Sequence, residues 1–211
     1  MTYSDEIKKH KDKFIIALFI TAFVLYFAYS LTCFQASSQE IRNDVVRLHI
    51  LANSNSKADQ SLKLKVRDEL LKKNTSLLTK GVTKENVCEY FNASKDELTK
   101  TATETVLANG FDYGAKITLC KEYYPTREYG ELTFPAGVYT SVKVVLGEGK
   151  GHNWWCVMFP PLCVPSAFGE ISENKEELDG YICTQGEKIL SSGKKYKVKF
   201  KIVEIYEALF K

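Results

Sequence analysis

The chain has 211 residues, 45% of them hydrophobic, and a net charge of +3 at neutral pH. Of its 29 basic and 26 acidic residues, four lysines and three acids lie in the first 13, so the remainder is close to neutral. That balance argues against a nucleic-acid partner, and no internal repeat or long low-complexity linker divides the chain.

Lys8, Lys9, Lys11 and Lys13 precede an uncharged run from Phe14 to Gln39. Its apolar heart, residues 14–34, spans about 31 Å as a helix, enough for a bilayer core of roughly 30 Å. The basic flank stays cytoplasmic, so the remainder is exported. Ala28-Tyr29-Ser30 and Ala36-Ser37-Ser38 both offer small residues at signal-peptidase spacing. Residues 1–39 therefore form a basic flank plus a signal peptide or membrane anchor. Residues 40–211 form one exported domain of ordinary size.

In the exported part, Val45 to Leu51 alternates as a strand, with Val46, Leu48 and Ile50 on one face. Ala52-Asn53-Ser54-Asn55 reads as a turn. Ser56 caps a following helix with Asp59 in its first turn, and Ala58, Leu62, Val66 and Leu70 form its expected buried stripe. A second helical region opens at Thr83. A third, with Leu98, Ala102 and Val106, stops at Asn109-Gly110.

From Ala115 the period changes to two. Ile117 and Leu119, then Val138, Thr140, Val142 and Val144, mark strands separated by Pro and Gly turns. Gly147-Glu148-Gly149-Lys150-Gly151 has the look of a hairpin turn into a further strand. At the carboxyl end, Tyr196, Val198 and Phe200 suggest a short extended entry, followed by an amphipathic helix through Ile202, Ile205, Tyr206 and Leu209. The order of elements predicts an α+β domain behind an N-terminal membrane-inserted helix.

The most informative stretch is Asn153-Trp154-Trp155-Cys156-Val157-Met158-Phe159-Pro160-Pro161-Leu162-Cys163. Neighbouring tryptophans on a strand point to opposite faces, so one turns inward and the other is available for contact. Cys156 and Cys163 are candidates for a disulfide. The five exported cysteines are an odd number, which argues against a pure disulfide framework.

No catalytic signature accompanies this box. His152 and Cys156 would stand roughly 13 Å apart on an extended strand, and the paired-cysteine spacing of structural zinc sites is missing. No catalytic residue, metal, cofactor or small-molecule substrate is expected. His49 and Asn53, beside the start of the Ser56 helix, are a further candidate position.

Three ordered motifs carry a resemblance. They are Leu48-His49-Ile50-Leu51-Ala52-Asn53-Ser54-Asn55-Ser56 with its helix through Asp68, then Phe134-Pro135-Ala136-Gly137-x-Tyr139, then Gly149 through Cys163. Together they resemble the stage II sporulation protein R family. The resemblance implies a protein made in the forespore and exported into the space between forespore and mother cell. There it would activate a membrane-embedded aspartic protease of the mother cell, which cleaves the sigma factor E precursor. Trp154, Trp155 and Phe159 are the first candidates for the partner interface, and His49, Asn53 and Arg67 the second. The alternatives are an exported cysteine-dependent hydrolase using Cys156 and His152, or a cell-wall-binding module.

Overall fold

The computed structural model describes residues 3–73, 82–129, 132–160, 162, 182, 184–191 and 193–210. It begins with one helix, α1 (Tyr3–Asp44), whose apolar section, including Phe14, Phe19 and Phe23, is exposed along its length. Among the described residues it is the helix long and apolar enough to cross a membrane. It continues without a break past Gln39, and Phe34 and Ile41 are buried in the folded domain.

Strand β1 (Val46–Leu51) follows, then α2 (Lys57–Lys73), α3 (Lys84–Ala93) and α4 (Lys95–Ala108). Next come β2 (Ala115–Tyr124), a small hairpin of β3 (Arg127–Tyr129) and β4 (Leu132–Phe134), then β5 (Gly137–Leu146) and β6 (Asn153–Phe159). Two helices close the chain, α5 (Thr184–Ser191) and α6 (Gly193–Phe210). The domain is α+β.

Strand order is β2-β5-β1-β6. β1 runs parallel to β5 and antiparallel to β6, and β2 runs antiparallel to β5. The period of two gives this sheet two different faces. Val46, Leu48, Ile50, Ile117, Val142, Val144, Cys156 and Met158 share the first, packed under Leu62, Val66, Leu70, Leu98, Ala102 and Val106 of α2 and α4. Arg47, His49, Glu122, Tyr124, Tyr139, Lys143 and Trp155 occupy the second. There a separate cluster of Phe34, Ile41, Tyr124, Phe134, Tyr139, Val157, Phe200 and Val203 joins the sheet to α1 and α6.

Three expectations change. Ala58 is exposed, and the buried first-turn position of α2 is Asp59. It accepts hydrogen bonds from Ser54 Oγ (2.5 Å), Asn53 Nδ2 (3.3 Å) and Tyr113. Burial pushes its pKa up, but these bonds and one from Ser56 outweigh that and hold it below the usual value.

The glycine-rich segment is not a hairpin, because β1 lies between β5 and β6. It crosses over the end of β1 and is held by the turn that leaves that strand. Lys150 N and Gly151 N donate to the carbonyls of Asn53 and Ala52, and Glu148 N donates to Asn53 Oδ1. His152 N donates to Asn55 Oδ1. Finally, Tyr196, Val198 and Phe200 are helical, since α6 is continuous from Gly193. Burial of Phe200 and Val203, with Tyr196 partly buried on the same side, outweighs the strand-like alternation with lysines.

Candidate functional site

The second face of the sheet is built around two side chains of β1. Arg47 is fully buried. Its Cζ lies 4.5 Å from the ring centre of Tyr124, 5.2 Å from Tyr139, 5.3 Å from Tyr129 and 5.5 Å from Phe134. Nη2 donates to the Tyr129 hydroxyl at 2.6 Å, while Nε and Nη1 stand among the rings with no acceptor among the described residues. Ring quadrupoles thus supply much of the compensation that water would give a guanidinium. Burial pushes the hydroxyls of Tyr124 and Tyr139 well above the usual tyrosine range, so the cage stays neutral.

Two residues further along β1, His49 faces oxygen at both ring nitrogens. Nδ1 lies 2.8 Å from Glu122 Oε2, and Nε2 lies 2.8 Å from Asn153 Oδ1. Lys143 Nζ donates to the other oxygen of Glu122 at 2.7 Å. Burial works against the charged form of Glu122, but Lys143 and His49 together lower its pKa. The resulting row, Lys143–Glu122–His49–Asn153, runs across all four strands. Such a fully connected network fixes side-chain positions at low dielectric.

The row ends at the tryptophans. As alternation requires, Trp154 and Trp155 take opposite faces, and both are half-buried. Trp154 packs against the helical side, with Arg67 of α2 over its ring at 4.8 Å. Trp155 sits edge-on to His49 (5.4 Å) and Tyr124 (5.6 Å), and Arg127 covers it from outside at 4.5 Å. Its Nε1 is buried with no acceptor among the described residues. A cleft of about 420 Å³ opens here, lined by Arg127, Tyr129, His152, Asn153, Trp154 and Trp155.

Of the candidate contact residues, the structure brings Trp154, Trp155 and Arg67 to the surface. Phe159 and His49 are buried at 3% and 5% exposure, so they support this edge from beneath. Asn53 holds the crossover: its Oδ1 accepts from Glu148 N and its Nδ2 donates to Asp59. Arg127, Glu122 and Arg47 were not singled out by spacing, because their roles arise from register between distant strands. Lys63 was hidden similarly. It is buried on α2 and donates to the carbonyl of His152 at 2.9 Å, bracing the start of β6.

Cys156 is disulfide-bonded and buried, which removes its thiol from chemistry. Cys163, its expected partner, lies outside the described residues. No group of three or more His, Cys, Asp and Glu that could hold a metal occurs among the described residues.

The three motifs now have a common location. The first contributes β1 and its turn, and the third contributes the crossover and β6. In the second, Arg42 Nη1 donates to the carbonyl of Ala136, Tyr139 hydroxyl donates to the carbonyl of Pro135, and Phe134 and Tyr139 wall the Arg47 cage. A family model described as stage II sporulation protein R matches residues 42–168, which contain the whole site. The chain belongs to that family. The stage II sporulation protein R of Bacillus subtilis (strain 168) is 36% identical over 138 residues, covering 65% of this chain and 62% of that protein. The match thus spans somewhat under two thirds of the relative's length. No solved structure matches the chain. In this stage II sporulation R family member, the three motifs converge on β1 and the strands beside it.

Proposed function

We propose that this sporulation protein is an exported, non-catalytic signal that activates a membrane-embedded aspartic protease of the mother cell, leading to processing of the sigma factor E precursor. Membership of the family through residues 42–168 carries this reading. The apolar helix α1 supplies the route to the space between forespore and mother cell. Activation requires that the protein bind the active arrangement of the protease more tightly than the resting one. Its contact surface is the cleft at Trp154, Trp155 and Arg127, with Arg67 beside it over the Trp154 ring. Half-buried tryptophans backed by arginine are the side chains that dominate protein interfaces. The cysteine-hydrolase alternative loses its nucleophile to the Cys156 disulfide.

The test is co-expression of the full chain, the protease and the precursor in a non-sporulating cell, with precursor size followed on a gel. Shortening only when this chain is present supports the reading. An unchanged precursor, with all three proteins at the membrane, refutes it.

A further inference from the structure

Helix α6 has apolar side chains on two opposite sides. At about 100° per residue, Tyr196, Phe200 and Val203 share one side, which packs with Phe34 of α1 at ring distances of 5.6 Å (Tyr196) and 5.1 Å (Phe200). Val198, Ile202, Ile205, Tyr206 and Leu209 share the other. Val198 is 69% exposed, Ile205 51%, Tyr206 54% and Leu209 72%. Val198 and Ile202 border a cleft with Thr126, Glu128 and Thr133, and Ile205 and Leu209 continue the stripe past it, further than a solvated helix face needs. On the same helical projection, Lys197 and Lys201 border this stripe on one side and Lys199 on the other, the arrangement of a helix lying in a membrane interface.

A second observation says where α6 sits. Lys199 Nζ donates to Ser30 Oγ at 2.6 Å and lies 5.9 Å from the Phe34 ring. Ser30 belongs to the apolar run of α1, about 6 Å from its outer end at Phe34. The start of α6 is thus tied to the level at which α1 leaves the hydrocarbon, where lysines meet headgroups and apolar side chains reach the acyl boundary.

We propose that α6 is an interfacial helix whose Val198–Leu209 face lies on the anionic phospholipid surface of the membrane that α1 crosses, on the exported side. This rests on α1 being in the membrane and does not depend on the protease reading. The domain is then attached twice, by a span and by a surface helix, and cannot swing freely about the end of α1.

The experiment is hydrogen exchange by mass spectrometry on the intact chain in nanodiscs of phosphatidylglycerol or of phosphatidylcholine. Amides of residues 202–210 should exchange at least about fivefold more slowly in phosphatidylglycerol, the effect of one lysine at an anionic surface. The double variant Ile205→Ser, Leu209→Ser should lose that protection while the β5 amides stay protected, which reports a folded domain. Should that variant misfold, Lys197→Gln with Lys201→Gln should narrow the difference between the lipids. Equal exchange in the two lipids overturns the proposal, as does protection that persists in the apolar double variant. Protection that arises only when the protease is added assigns the face to a protein and overturns it as well.

Discussion

Arg47 shows how one side chain can organise a face of a sheet. It is buried among four aromatic rings, so truncation opens a cavity and removes the cation–π attraction together. Arg47→Ala is expected to cost at least about 3 kcal/mol, measured by denaturant unfolding. Arg47→Lys keeps the charge but loses the planar group that lies among the rings, and should recover only part of that loss. Outside the cage, Arg127 covers Trp155 from solvent. Arg127→Glu should therefore lower precursor processing in the co-expression assay while leaving the unfolding midpoint nearly unchanged. The buried carboxylates make a different prediction. Asp59 and Glu122 both have folded pKa values below the usual range, near 4. Their stabilisation is complete above that range and is lost as pH falls through their lower folded values. Asp59→Asn should flatten the acid limb of the stability profile below about pH 4. None of this was visible from spacing, which put Arg47 and His49 on one face of a strand but could not say what stood opposite.

At the scale of elements, the period of two located β1, β2 and β5, the Ser56 cap located the start of α2, and helical spacing from Thr83 located α3. Thr83 and Asn86 form a reciprocal cap at α3. Strand order was not legible, because Gly147 to Gly151 has the composition of a hairpin whether or not another strand lies between its ends. The crossover explains the glycines instead. A Cβ at Gly151 would stand 2.2 Å from the Ser54 carbonyl oxygen, which is backbone and cannot swing aside, whereas one at Gly110 would meet nothing within 4 Å. Gly110→Ala should cost only about 1 kcal/mol, for its positive φ of 83°. Gly151→Ala should cost about 1–3 kcal/mol or more and weaken exchange protection in β6. The two variants compared by thermal unfolding separate a conformational requirement from a steric one. The terminal helix was half legible: alternation with lysines mimicked a strand until the packing partner, Phe34, was known.

For the molecule as a whole, the apolar helix α1 and the domain share a core. Phe34 packs with Tyr196 and Phe200, so cleavage after Ser38 would remove part of the second cluster. The mature chain is expected to retain Phe34, read by intact mass or amino-terminal sequencing of the membrane fraction. Peptide mapping without reduction should find Cys156 joined to Cys163. The placement of β1 has a consequence for the order of events during export. In a chain exported as proposed, residues 46–51 emerge ahead of their neighbours on either edge, residues 137–146 and 153–159. Until those arrive, β1 waits with both edges open, and the pairings that close them are long-range. The domain cannot assemble piecemeal as it emerges. On the proposed reading, the contact surface on β6 forms only once residues 153–159 have been delivered, so a signal would also certify that the whole sheet has crossed.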